Sequence, residues 1–134
     1  MKVNFFSEKN KAKKITNILQ FKLNNILKTG LYTNSTNVKK FEEKFKKLFN
    51  AKYCIAVNNG TSALHLSLLA TGIKENDEVI LPSMTFIATA AAIEYIKAKP
   101  IFVDINENDW LINSKKIEKL ITKNTKAIVV VHLH

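Results

Sequence analysis

Arginine is missing from this sequence altogether; its 21 basic residues are all lysine. No guanidinium fork is available to read a base edge or clamp a phosphate, although the formal charge is +10. The lysines mix with glutamates along amphipathic stretches and form no single stripe with aromatics between them. That favours a solvated lysine face over a nucleic-acid surface, and no nucleic-acid partner is expected. Cysteine is nearly absent too. The single thiol, Cys54, has no partner within the chain, and in the apolar run Tyr53-Cys54-Ile55-Ala56-Val57 it reads more readily as a small buried hydrophobe than as a reactive group. No apolar run approaches the roughly 20 residues that span a bilayer. The opening MKVNFFSEKNKAKK shows no apolar segment followed by a small-residue cleavage site. The expectation is a cytoplasmic protein without membrane insertion.

What is present is a change of periodicity along the chain. Asn10 to Lys28 carries Ile15, Ile18, Leu19, Leu23, Ile26 and Leu27 near a 3.6-residue repeat, with Phe21 less regular, and predicts a helix ending before Gly30. Phe41, Phe45, Leu48 and Phe49 fall at i, i+4, i+7 and i+8 opposite Lys39, Lys40, Glu43, Lys46 and Lys47. This predicts an amphipathic helix over Val38–Phe49 lying on a core. Between them Gly30 to Asn37 is rich in turn and capping residues. After Lys52 short apolar runs take over. Tyr53–Val57, Glu78–Leu81, Ile101–Val103 and Ala127–Val131 predict strands; Thr61–Ala70, Ile87–Lys97 and Ser114–Ile121 predict helices, the last with Asn113 as N-cap. Strand and helix in alternation imply an α/β fold, a mostly parallel sheet with helices on both faces. Ile128 to Val131 reads as a strand buried on both faces, which makes the sheet unfinished at His134.

Two strand-to-helix junctions carry candidate chemistry. Val57-Asn58-Asn59-Gly60-Thr61-Ser62-Ala63 reads as a strand end, a tight turn and a helix start. Asn59 and Gly60 tolerate positive φ, Thr61 and Ser62 can cap, and free N–H groups at the positive end of a helix dipole suit a bound dianion. The motif alone reads equally as an ordinary turn with a good cap. The helix behind it, Ala63 to Ala70, is apolar almost all round and is expected to be buried on nearly every side. His65 within it reads as a core histidine before it reads as a catalyst. At the second junction, Leu81 to Ala90, Thr85 and Phe86 can share the carboxyl edge of the sheet with Gly60, Thr61 and Ser62. Phe86 could cover an aromatic cofactor ring or simply pack the core.

Taken together, Phe41-Glu42, Asn59-Gly60-Thr61-Ser62-Ala63-Leu64, Asp77-Glu78-Val79-Ile80, Pro82 with Thr85-Phe86-Ala88-Thr89-Ala90, Phe102-Val103-Asp104-Ile105, Ile117-Glu118, Ile121-Thr122, Thr125-Lys126-Ala127-Ile128 and Val131-His132-Leu133 resemble, in order and spacing, the DegT/DnrJ/StrS family. These are pyridoxal-phosphate-dependent sugar aminotransferases of the aspartate aminotransferase fold type. The resemblance runs from about Lys28 onward. It implies that Gly60, Thr61 and Ser62 hold the phosphate of pyridoxal 5'-phosphate and that Phe86 stacks on its ring. It implies transfer of an amino group, usually from glutamate, to a nucleotide-linked keto sugar, in a homodimer when the chain is full length. No metal site is implied.

Two departures qualify the resemblance. Ser35-Thr36 stands where the family usually has Gly-Pro, and no lysine of this chain occupies the context of the family's Schiff-base lysine. Residues 1–37 are thus expected to form an N-terminal helix and loop, and 38–134 an incomplete cofactor-binding domain that stops before the catalytic lysine. On this reading no catalytic residue lies within the chain, and the chain by itself is inactive. A same-family dehydratase acting on a deoxysugar, or a non-catalytic phosphate-binding or interaction fragment, are the alternatives.

Overall fold

The structure is a computed structural model that describes residues 9–33 and 35–133. Residues 1–8, on which part of the reading of the N-terminal stretch rests, lie outside the described residues, as do Asn34 in the expected loop and His134 at the expected unfinished edge. The chain forms two compact units, Met1–Ala56 and Val57–His134.

The first unit is helical. Helix α1, Lys9–Thr29, contains neither glycine nor proline and ends as Gly30 turns to φ +68, where its N–H meets the Ile26 carbonyl at 3.1 Å. A glycine takes this left-handed stop without a Cβ clash. Helix α2 spans Thr36–Leu48. Its aromatic residues stack along one side, with ring centroids 5.5 Å apart for Phe41 and Phe45 and 4.6 Å for Phe45 and Phe49. This helix was expected to lie on a core, yet none of its residues is buried. The i, i+4 spacing makes the rings cover one another in part, while Phe41, Phe45 and Phe49 all stay exposed.

The expected strand Tyr53–Val57 does not form. A strand exists through its ladder, and this segment has no ladder partner among the described residues. The Ala56 N–H is taken by the Glu42 carboxylate at 2.8 Å, and Tyr53 and Ile55 stay exposed.

The second unit is α/β. Strands β1 (Glu78–Pro82), β2 (Lys99–Val103) and β3 (Thr125–Ile128) form a parallel sheet in the order β2-β1-β3. As the central strand, β1 carries the continuous apolar run that such a position requires, and Val79, Ile80 and Leu81 are wholly buried. Val79 and Leu81 point to one face, where Ile93, Ala92 and Ile96 of the α4 region (helix α4, Ile87–Glu94) and Leu68 of α3 (Gly60–Ala70) complete the main core. Ile80 points to the other face. Helix α4 packs on β1 and β2, and the return from β2 to β3 carries the short helix α5 (Ser114–Ile117).

Four further expectations are corrected. Helix α3 is not buried all round: Leu68 is buried and Leu64 packs on the core, but Leu66 and Leu69 are exposed, because α4 covers only one side. The helix expected over Ile87–Lys97 stops at Glu94, and the chain turns through Lys97 at φ +57 to enter β2. The helix expected over Ser114–Ile121 is four residues of α-helix followed by a 3-10 turn at Glu118–Leu120, with Asn113 accepting from the Lys115 N–H as its cap. Strand β3 runs Thr125–Ile128, beginning two residues and ending three residues before the expected bounds; Ala127 and Val129 pack against the core while Ile128 and Val130 are exposed.

Candidate functional site

All the sequence-selected site residues fall in the second unit. Asn59, extended at φ −162 and ψ 172, is the N-cap of α3, and its side-chain oxygen accepts from the Ser62 N–H at 2.8 Å. Its carbonyl takes the Ala63 N–H at 3.1 Å. With those donors satisfied, the N–H groups of Gly60 and Thr61 have no acceptor among the described residues, and neither do the hydroxyls of the half-buried Thr61 and Ser62. Two backbone donors and two hydroxyls thus gather at the positive end of an 11-residue helix that has no acidic residue in its first turn. That donor set fits a phosphate.

Of the two roles expected for small residues at this turn, tolerance of positive φ and close approach of a phosphate to the backbone, only the second fits the geometry. Neither Asn59 nor Gly60 adopts positive φ, and a Cβ built on Gly60 meets nothing within 4 Å. The space in front of the helix is open, so a small residue here leaves room for an incoming group instead of relieving backbone strain.

Phe86 is the N-cap of α4, extended at φ −68 and ψ 141, and as a residue is 69% exposed. The core-packing alternative for this ring therefore does not hold within the chain. Helices α3 and α4 pack on each other. The structure brings those three together at one helix start and places Phe86 at the start of the neighbouring helix. His65 is half-buried with its ring edge-on to Tyr95 at 5.8 Å, a packing arrangement. Cys54 is free and half-buried.

Sequence reasoning missed two residues. Asn59 serves as a cap, which its place three residues before Ser62 could have signalled. Thr89 is buried, and its hydroxyl lies 2.8 Å from that of Thr85; the i, i+4 spacing was the available clue. Beyond the helix starts, Asp104 at the end of β2 is held below the ordinary aspartate range. A 2.6 Å hydrogen bond from Lys116 is the main cause, followed by the Ile105 N–H and the lysine charge. This pair is exposed and anchors a loop. In the first unit a groove of about 930 Å³ between α1 and α2, lined by Leu19, Leu23, Ile26, Leu31 and Phe41, has no acid, histidine or cysteine in its wall and offers no catalytic group. No cluster that could hold a metal occurs among the described residues.

Comparison with known proteins supplies the context. The GDP-perosamine synthase of Escherichia coli O157:H7 is 47% identical over 106 residues, covering 79% of this chain and 29% of the relative. The dTDP-3-amino-3,6-dideoxy-alpha-D-galactopyranose transaminase of Aneurinibacillus thermoaerophilus is 45% identical over 116 residues, covering 87% of this chain and 32% of the relative. Among solved structures, NtdA of Bacillus subtilis with bound cofactor PMP superposes with a TM-score of 0.86 at 36% identity, over 98% of this chain and 31% of that one. The chain thus spans about a third of the length of the relatives it matches. The fold is that of the sugar aminotransferases that use pyridoxal 5'-phosphate. Residues 13–134 match the sequence pattern of the DegT/DnrJ/EryC1/StrS aminotransferases, and the chain belongs to that family.

Proposed function

We propose that this chain is the cofactor-phosphate part of an aminotransferase that moves an amino group, with glutamate as donor, onto a nucleotide-linked keto sugar used for surface polysaccharide or other amino-sugar products. The observation that carries this reading is the start of α3, where Gly60, Thr61 and Ser62 present free N–H and hydroxyl donors around open space. The names of the relatives, a perosamine synthase and an aminogalactose transaminase, support the substrate class.

Pyridoxal phosphate, when bound, supplies an electron-withdrawing ring and carries the amino group between donor and acceptor. The protein's part in this is positional. Gly60 and Thr61 would donate backbone N–H groups to the phosphate, and the Thr61 and Ser62 hydroxyls would complete its shell, with Asn59 holding the Ser62 N–H and so fixing the helix start. Phe86 would cover one face of the ring and keep water from it. No lysine here has the context of the Schiff-base lysine, so residues 1–134 alone are proposed not to transaminate. Residues 38–134 are proposed as part of the large cofactor domain of a cytoplasmic homodimer, with 1–37 as its leading helix and loop.

The test is made on a chain of its relatives' length. Glutamate-dependent amination of a nucleotide-linked keto sugar is expected, together with loss of cofactor affinity in Thr61→Ala/Ser62→Ala. Water elimination from a deoxysugar without amine transfer would replace this reading with the dehydratase. Unchanged cofactor affinity in the double variant would remove the phosphate cradle. The 134-residue polypeptide mixed with the cofactor should show no absorbance of a lysine-bound form at a defined site.

A further inference from the structure

We propose that Thr89 is a positioning residue that sets the direction of the Phe86 side chain, acting through Thr85. The proposal rests on the reading of Phe86 as the ring that covers the cofactor.

Helix α4 is almost wholly apolar, Ile87-Ala88-Thr89-Ala90-Ala91-Ala92-Ile93-Glu94, and Thr89 is a buried polar side chain within it. A buried hydroxyl is costly unless it is hydrogen-bonded, and a helical threonine normally finds the carbonyl four residues back. Here the partner is the hydroxyl of Thr85 at 2.8 Å, with either able to donate. Thr85 is the residue before the N-cap. The N-cap itself is Phe86, which has no side-chain acceptor for the helix N–H groups, at a position that favours Ser, Thr, Asp or Asn. The entry into α4 is therefore fixed without a side-chain cap. Thr89 does it from both sides of Phe86: its N–H donates to the Phe86 carbonyl at 3.0 Å, and its hydroxyl holds Thr85. The Phe86 carbonyl on one side and the Thr85 side chain on the other are thus both held by one buried residue. The Cα–Cβ direction of Phe86 is set by this bracket, while its exposed ring has no ring neighbour among the described residues to orient it.

Four variants of the chain at its relatives' length test this: Thr89→Val, which keeps the shape and removes the hydroxyl, Thr89→Ser, Phe86→Ala, and Thr89→Val with Phe86→Ala. Each is measured for the dissociation constant of pyridoxal phosphate, for amide hydrogen exchange at Phe86 and Ile87 in the cofactor-free protein, and for Tm. Thr89→Val is expected to weaken cofactor binding about threefold to tenfold, the range of one aromatic stacking contact, and to speed exchange at Phe86 and Ile87. Thr89→Ser should restore both. In the Phe86→Ala background Thr89→Val should weaken binding no further, the non-additivity of residues that act as a unit. The same weakening with and without Phe86, or a lowered Tm with cofactor binding unchanged, would show a general structural role and overturn the proposal. If Phe86→Ala weakens binding and Thr89→Val does not, this proposal fails alone. If Phe86→Ala has no effect, the ring reading fails and takes the proposal with it.

Discussion

Asn59 and Phe86 occupy the same structural position, the N-cap of a helix, with opposite consequences. The amide side chain satisfies a helix donor, and the phenyl ring satisfies none. Asn59→Ala should therefore destabilise the second unit by about 0.5–2 kcal/mol, read as a shift of the urea midpoint. Gly60→Ala should leave that midpoint unchanged or slightly raised, because its Cβ enters open space and its φ is not left-handed. Any loss of phosphate affinity in Gly60→Ala is then a direct effect on the ligand. Asp104 makes a third residue-scale test. Its carboxyl titrates below the ordinary range because the Lys116 hydrogen bond favours the charged form. A depressed pKa contributes stability above the unfolded value and loses it as pH falls through the folded one. Carbon-13 titration of the Asp104 carboxyl should give a low midpoint that rises toward the ordinary value in Lys116→Ala. The two proteins should converge in stability below the folded midpoint.

At the scale of elements, α3 and α4 share an apolar composition and differ in burial. Helix α4 places Ala88, Thr89, Ala92 and Ile93 inside, whereas α3 buries only Leu68. The difference follows from position: α4 is the crossover between two hydrogen-bonded strands and lies on the sheet, while α3 packs mainly on α4. In the 134-residue chain Ile93→Ala should cost about 2–5 kcal/mol, since it empties a fully covered site. Leu66→Ala should fall within about 0.5 kcal/mol, because that side chain is half in solvent. Denaturant melts of the two variants measure both. A Leu66→Ala cost equal to that of Ile93→Ala would mean that α3 is covered on its outer side in solution.

Across the molecule the charge is divided as sharply as the contacts. Residues 1–56 hold 13 lysines and 3 glutamates, while 57–134 hold 8 lysines and 8 acidic residues, so the whole formal excess lies in the first unit. Helix α1 carries no acidic residue in its first turn, and Ile15, Ile18, Leu19, Phe21, Leu23 and Leu27 along it are exposed. Binding to nucleic acid is expected to be weak, insensitive to sequence and removed by moderate salt, since ammonium groups contact phosphates without reading bases. A fluorescence titration of short duplexes at two salt concentrations measures this, and sequence-selective binding that survives high salt would contradict it.

Much of this arrangement was fixed by the order of residues. The 3.6-residue repeats placed α1 and α2, the short apolar runs placed β1 and β2, and Asn113 marked its helix because local capping and periodicity act over a few residues. The Asn59 to Ser62 junction was legible for the same reason, as was the family, since its motifs are local blocks in order. What depended on neighbours was not legible. Tyr53 to Val57 has the composition of a strand but no ladder partner among the described residues, and Ile128 and Val130 are exposed although their run is apolar throughout. Helix α3 is apolar all round yet covered on one side only. The hydroxyl bond between Thr85 and Thr89 forms only once α4 buries Thr89. Composition states what a segment can bury, whereas ladder partners and covering layers come from residues distant in sequence, and only the folded chain decides where they lie.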